Sequence, residues 1–175
     1  MKAIFFLLGL FFMGLGVQEI KAQAEVVVNI KTNVNQFSCE SKGLTKEHLS
    51  KYECYHEILI PVIDFDCPKK MMERDLQKLF EAHKYPEIQL FLEPQPINSA
   101  SPKTKIAIRI KEILQKYEVD LIKTTTNGKS FYTGNQVISL ANYDLEPPTK
   151  ALGLVKVSDE VKIEFKIPEH FLVHP

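Results

Sequence analysis

The sequence predicts an all-β fold of antiparallel strands with one short α-helix. Three observations predict it: a two-residue alternation of apolar and polar side chains, a hairpin signal, and one amphipathic segment with helical spacing. The alternation is clearest in "EVKIEFKIP", whose alternating apolar residues are Val161, Ile163, Phe165 and Ile167. A strand with one apolar and one polar face is typical of an antiparallel sheet that has one face in the core.

The hairpin signal is Asn127-Gly128, between "EVDLIKTTT" and "KSFY". Both residues tolerate the positive φ that a type I′ turn demands. We therefore expect the two flanking strands to pair directly.

Strands are also predicted from shorter alternating runs, for a total of about eight. The predicted segments are 26–31, 35–39, 55–65, 88–92, 106–110, 117–121, 136–141 and 161–167. The run 106–121 has apolar residues at helical spacing as well, and no Gly or Pro interrupts it. Its pattern alone leaves strand and helix equally open.

One helix is predicted between Pro68 and Ala82. Pro68 suits a first helical position, where its missing N–H would have no partner in any case. The segment carries one apolar stripe, formed by Met72, Leu76, Leu79 and Phe80. This stripe is expected to lie against the sheet, either closing one end of a barrel or covering the core of a sandwich.

The first 24 residues have the pattern of a signal peptide. Lys2 is followed by an apolar run over residues 4–17, and Ala22-Gln23-Ala24 offers small residues for cleavage. The run is shorter than the roughly 20 residues that span a bilayer, although a retained anchor is the alternative. We expect residues 25–175 to form a single periplasmic or secreted domain that has no stable membrane insertion after cleavage.

Composition and cysteine spacing exclude several function classes. The 22 basic and 22 acidic residues are interspersed, so no nucleic-acid face or polybasic patch is predicted. The three cysteines leave at least one without an intramolecular partner, and three pairings are open. The sequence contains no CxxC motif, so a thioredoxin-type redox role has no support.

No catalytic residue and no metal site is predicted. His56-Glu57 begins like a zinc-protease motif, but Ile60 stands where the second His is required. Asp64 and Asp66 could act as a carboxylate pair, although acidic residues before a helix more often satisfy its amides and dipole. No GxSxG motif or glycine-rich phosphate loop occurs. The chain is therefore interpreted as a non-enzyme.

Several of these segments together resemble the YceI-like family, in its Cys-containing, Bacteroidetes-type form. The resemblance runs from about residue 27 to 167, and is carried by Asp66-Cys67-Pro68, Met72, Asp75, Leu79, "KYPEI" at 84–88, "NYDLEPP" and "VKVSDEVKIEFKI". It implies a closed, up-and-down, lipocalin-like barrel of eight antiparallel strands around a long isoprenoid lipid. It also favours strands over a helix in 106–121.

The resemblance further implies a disulfide between Cys39 and Cys67. The chain departs from better-known members in three respects. It lacks their early His-containing motif, it has a shorter connection from Asp75 to Tyr85, and in one turn Glu112 and Leu114 stand where Gly and Thr are expected.

An eight-stranded barrel is wide enough either to be filled by its own side chains or to hold one slim ligand. The predicted lining is aliphatic apart from one phenylalanine, and consists of Ile88, Leu90, Leu92, Ile108, Ile110, Val119, Leu121, Val161, Ile163 and Phe165. Such a lining favours a chain-like apolar ligand. The family implies a carrier or store of polyisoprenoids or prenylated quinones with no other cofactor.

The alternative is a filled barrel that acts as a cell-envelope interaction module. Because oligomers seal the barrel mouth in some such folds, a homodimer is left open.

Overall fold

The computed structural model describes residues 23–44, 49–52, 55–93, 103–150 and 152–172. Within these ranges it has eleven strands: β1 (Ala24–Thr32), β2 (Gln36–Leu44), β3 (Leu49–Tyr52), β4 (Tyr55–Pro61), β5 (Glu87–Leu92), β6 (Lys103–Ile110), β7 (Ile113–Asp120), β8 (Ile122–Thr126), β9 (Lys129–Ser139), β10 (Thr149–Lys150) and β11 (Val155–Pro168). The helices are α1 (Lys70–Leu79) and α2 (Glu169–Leu172), with 3₁₀ turns at Val62–Asp64 and Ala141–Tyr143.

The strands form two antiparallel sheets. The larger sheet has the order β2-β1-β11-β9-β8, with β10 paired to β11, and the smaller has the order β3-β4-β5-β6-β7. The predicted mainly antiparallel β fold is confirmed. Hydrogen bonds among the described residues do not close either sheet into a ring, so the eight-stranded barrel stays a prediction.

The two sheets are joined at Leu121, which is the single residue between β7 and β8. β7 pairs with β6 of the smaller sheet, whereas β8 pairs with β9 of the larger one. Leu121 is fully buried, and Phe165 of β11 lies beside it across Gly134. One extended segment therefore passes from sheet to sheet and gives both sheets a common apolar core.

We expect Gly134→Ala to destabilise this corner. An added Cβ would lie 2.6 Å from Cζ of Phe165 and 3.0 Å from Cδ2 of Leu121. Overpacking of this kind costs about 1 to 3 kcal/mol of unfolding free energy, which urea denaturation would measure. The matched control is Asn135→Ala, an exposed position on the same strand, where a change beyond about 0.5 kcal/mol is not expected. Equal effects of the two variants would contradict the packing argument.

The predicted hairpin is confirmed. Asn127 and Gly128 have φ values of 51° and 73°, and the flanking residues Thr126 and Lys129 pair directly. Both residues of the turn are therefore in the positive-φ region that type I′ geometry requires.

The ambiguous run 106–121 is strand, not helix. It contributes to β6 and β7, which pair from Lys103 with Asp120 to Ile110 with Ile113. The turn takes its positive φ at Lys111 (55°) and not at Glu112.

The strands predicted over 55–65 and 136–141 extend past the ends of the observed strands. The strand predicted over 55–65 ends at Pro61, because proline has no N–H to continue the ladder and the Val62 N–H donates instead to the Pro86 carbonyl at 2.8 Å. The strand predicted over 136–141 is the end of β9, and Ala141 already belongs to a 3₁₀ turn.

The predicted helix is confirmed, but the observed helix is shorter at both ends than the predicted range of 68–82. Pro68 is not the first helical residue, because Lys69 is still extended (φ −141°) and α1 begins at Lys70. The helix ends at Leu79, and two residues later Glu81 has a left-handed φ of 52°. The amide of Ala82 then donates to the Gln77 carbonyl at 2.9 Å, completing a Schellman-type cap that more often uses glycine.

The disulfide between Cys39 and Cys67 is confirmed, with a Cα–Cα distance of 4.3 Å. Beside it, Glu40 of β2 and Asp66 exchange two backbone hydrogen bonds of 2.9 and 2.8 Å. These contacts bind the edge of the larger sheet to the segment that leads into α1. Cys54 lies outside the described residues.

We expect the double variant Cys39→Ala, Cys67→Ala to lose about 3 to 4 kcal/mol of unfolding free energy, because the bond closes a loop with a sequence separation of 28 residues. Urea denaturation under non-reducing conditions would measure this loss. Cys54→Ala is the control and should leave the bond intact in non-reducing peptide mapping. A peptide that links Cys54 to Cys39 or Cys67 would contradict the assignment.

Residues 1–22 lie outside the described ranges, so the predicted signal peptide stays a prediction. Ala24 is the first residue of β1 and is fully buried. Among the described residues, no helix is both long enough and apolar enough to cross a bilayer.

Candidate functional site

An apolar cavity of about 260 Å³ lies between α1 and the larger sheet. Its walls come from β1, β2, β11, α1 and the segment between β9 and β11. The lining residues are Val28, Ile30, Thr32, Phe37, Met71, Met72, Asp75, Leu76, Leu79, Phe80, Leu140, Pro148, Val155, Val157 and Val161.

The sheet wall depends on a register shift between β1 and β11. Ile30 pairs with Val161, but Thr32 pairs with Val157, so β11 contains two more residues than β1 in this interval. Because a shift of two residues preserves the alternation of faces, Val157 and Val161 both face the cavity.

The opposite wall is the apolar stripe of α1, formed by Met72, Leu76, Leu79 and Phe80. The segment that contains α1 is tied to the rest of the molecule at both ends. The disulfide holds Cys67 just before the helix, and an ion pair joins Glu81, just after it, to Lys111 in the β6–β7 turn. These ties hold α1 beside the sheet with a space between them.

The lining offers little to a polar ligand. Thr32 and Asp75 are its polar members, and the Thr32 hydroxyl already donates to the Asn35 carbonyl at 2.8 Å. The other residues present hydrocarbon, aromatic or thioether groups. The cavity therefore suits an apolar group that is recognised by shape and burial.

Solved structures with the same fold include a polyisoprenoid-binding domain. The match to BcnA of Burkholderia cenocepacia has a TM-score of 0.62 at 16% identity and covers 83% of this chain and 95% of that one. A polyisoprenoid-binding domain of Saccharophagus degradans matches with a TM-score of 0.60 at 12% identity, over 83% and 91% of the two chains. The YceI protein of Campylobacter jejuni gives 0.53 at 15% identity, over 96% and 97%.

The chain has a YceI-like fold. No family model and no curated protein matches its sequence. At 12 to 16% identity, these structural matches show the architecture alone.

Within this YceI-like fold, the ten residues predicted as lining lie in the core. Nine are buried, and Ile163 is partly buried against the same core. Val161 is the one of the ten that also borders the cavity beside α1. The structure therefore brings the ten together, mostly as packed side chains shared by the two sheets, and their role in ligand binding stays a prediction.

The cavity residues that sequence reasoning did not assign come mainly from α1 and from the edges of the larger sheet. The sequence predicts the helix stripe only as a surface that covers the sheet or the barrel end, not as a cavity wall. Its signal was the presence of Met71 and Met72 beside Leu76 and Leu79, because flexible methionines fill irregular apolar space. The alternating Val155 and Val157 gave a similar, weaker signal.

The structure gives no support to a carboxylate pair or a metal centre. The side chains of Asp64 and Asp66 are exposed, and no group of three metal-ligating side chains occurs among the described residues. Glu57 is buried on β4, where burial raises the pKa of its carboxyl group while the Arg109 guanidinium opposes the rise. Its strand partners place it on the face of the smaller sheet opposite the core.

A tyrosine pair provides a partly buried polar contact between the 3₁₀ turn after β9 and the smaller sheet. The hydroxyl of Tyr143 lies 3.0 Å from that of Tyr117 on β7 and donates to the Ile108 carbonyl at 3.4 Å. Burial raises the pKa of Tyr143 well above its ordinary value, and the Tyr117 hydroxyl adds to the rise. The pair joins the segment after β9 to the smaller sheet.

We expect the unfolding free energy to fall as the pH rises above about 10, the ordinary pKa of tyrosine. The folded state holds the Tyr143 proton more tightly than the unfolded state, so this contribution is complete below pH 10 and is lost above it, by up to about 1.4 kcal/mol per pH unit. Tyr143→Phe should show a shallower decline, in addition to a loss of about 1 kcal/mol at neutral pH.

Urea denaturation between pH 7 and 11 would measure both effects. Tyr85→Phe, outside the hydrophobic core, is the control and should retain the wild-type slope. If the Tyr143 variant keeps the same slope, the buried hydroxyl does not produce the pH dependence.

Proposed function

We propose that this protein is an exported carrier or store that holds an apolar, chain-like lipid against α1 and performs no catalysis. The observation that carries the proposal is the cavity, whose walls are hydrocarbon, aromatic or thioether apart from Thr32 and Asp75. The ligand class is a polyisoprenoid or a prenylated quinone. The polyisoprenoid-binding domain of Saccharophagus degradans, which shares the fold, supports this class.

The size of the cavity limits how the ligand is held. About 260 Å³ is slightly below the roughly 300 to 1,000 Å³ of typical small-molecule sites. It suits one apolar segment, so a longer chain must either leave through the mouth or displace core side chains. We propose that a longer chain displaces the ten predicted lining residues. The cavity would then continue into the interior of a closed barrel.

Hydrophobic burial supplies enough free energy for such binding. Each buried methylene contributes about 0.8 kcal/mol, and a rigid preformed cavity limits the ordering cost of association. A short prenyl segment that fills the cavity would therefore bind without any charged contact. The proposed location is the periplasm or the exterior, after removal of residues 1–24.

The first test is mass spectrometry of the mature protein from its native envelope, with the native mass compared with that of the denatured chain. We expect a stoichiometric apolar adduct whose solvent extract contains an isoprenoid. A bare mass that persists after incubation with prenyl lipids would contradict the proposal and favour the filled, ligand-free interaction module.

The second test locates the ligand. Val157 is partly buried at the cavity wall, so Val157→Trp should fill the space and reduce prenyl-lipid binding at least about tenfold, which corresponds to about 1.4 kcal/mol. Val137→Trp is the matched control, because Val137 is exposed on the same sheet and does not border the cavity. Circular dichroism would verify that both variants fold. Unchanged binding by a folded Val157 variant would place the ligand elsewhere.

A further inference from the structure

Two hairpin tips lie side by side at one end of the larger sheet. One is the β1–β2 turn at residues 33–35, and the other is the turn at residues 152–154 that leads into β11. Asn33 joins them, because its Nδ2 donates to the Leu154 carbonyl at 2.9 Å and its Oδ1 accepts from the Lys156 amide at 2.9 Å. The tips therefore form one surface, which we name the paired tips.

The paired tips present large aliphatic side chains to solvent. Val34 is 68% exposed, Leu154 is 74% exposed and Leu152 is fully exposed. Leu152 also adopts a left-handed φ of 56°, a conformation that costs energy for a residue with a Cβ. A single exposed leucine is ordinary, but three such residues on adjoining tips form a patch of the kind that contacts another apolar phase.

This patch is next to the mouth of the cavity. Thr32, Val155 and Val157 line the cavity and are within three residues of Val34 or Leu154 in the chain. Met71 also lines the cavity and is 59% exposed, so the cavity reaches the surface there. A ligand that leaves past these residues would meet the apolar tips.

The charge of the paired tips is positive. Neither 31–36 nor 152–156 contains an Asp or Glu, whereas they contain Lys31 and Lys156, which are both exposed. Exposed aliphatic residues bordered by lysines match the interface of a bilayer with anionic headgroups, where the hydrocarbon is buried and the ammonium groups stay at the phosphates.

We propose that the paired tips dock on an anionic lipid bilayer, with Val34, Leu152 and Leu154 inserted at the headgroup boundary. Docking orients the cavity mouth toward the membrane, so an apolar chain can pass between the bilayer and the protein without crossing water. The transfer step rests on the proposed function, but the docking step does not.

The chain contains no tryptophan, so one introduced tryptophan is an unambiguous reporter of insertion. The probe is a vesicle of phosphatidylcholine and phosphatidylglycerol, with brominated lipid as a quencher of shallow tryptophans. We expect Leu154→Trp to shift its emission to the blue and to be quenched. The control is Ile122→Trp, because Ile122 is 56% exposed and lies level with Glu25, about 23 Å along β1 from Thr32. It should do neither.

A second measurement removes the apolar side chains. Vesicle co-sedimentation of the triple variant Val34→Ser, Leu152→Ser, Leu154→Ser should fall at least about tenfold, whereas Ile122→Ser should bind as the wild type does. Added salt should weaken the wild-type interaction, because the lysines contribute through screened charge. Circular dichroism would verify that the triple variant folds.

The proposal is overturned if the wild type does not sediment with anionic vesicles or if the triple variant binds equally well. It is also overturned if both tryptophan variants respond alike. Binding of a fluorescent prenyl probe in the absence of vesicles tests the cavity separately. Loss of probe binding in Val157→Trp with vesicle docking retained supports both proposals, whereas vesicle docking by a wild type that binds no probe would sink the proposed function and leave the docking intact.

Discussion

The disulfide between Cys39 and Cys67 is the constraint on which the candidate site depends. It binds the edge of the larger sheet to the segment before α1, and the adjacent backbone bridge of Glu40 with Asp66 keeps that segment extended. At the other end, the ion pair of Glu81 with Lys111 ties the residue after the helix to the smaller sheet. An apolar helix stripe that was free to move would settle onto the sheet, because burial of hydrocarbon is favourable. Two anchored ends oppose that collapse and leave space between the helix and the sheet.

The same residue chemistry makes both the core and the cavity. Residues such as Leu90, Ile108 and Leu121 are buried in the apolar cluster shared by the two sheets, whereas Val28 and Val161 belong to that cluster and also border open space. The hydrophobic effect acts equally on both groups. The two groups differ in whether a neighbouring side chain fills the volume beside them. Beside Val28 and Val161, the facing element is α1, and part of the volume between it and the sheet is unfilled.

Prediction from sequence succeeded where a local signal has one physical meaning. Asn127-Gly128 predicted its turn because few residue pairs accept two positive φ values. Prediction was less accurate where the meaning depends on distant partners. Helix α1 starts after Pro68 because the bridge at Asp66 holds the chain extended. It ends at Leu79, and the left-handed residue that follows is Glu81, so no glycine in the sequence marks this end. The run 106–121 satisfied two periods at once, and strand pairing decided between them.

The sequence by itself determined the class of fold and the apolar faces of its elements, because the two-residue and helical periods specify which side of each strand or helix must avoid water. The family resemblance of the sequence also implied the disulfide between Cys39 and Cys67. Only the tertiary structure decided which apolar residues border a cavity and which are packed. Periodicity assigns a side chain to a face, but an unfilled volume between faces depends on how far apart the chain holds them.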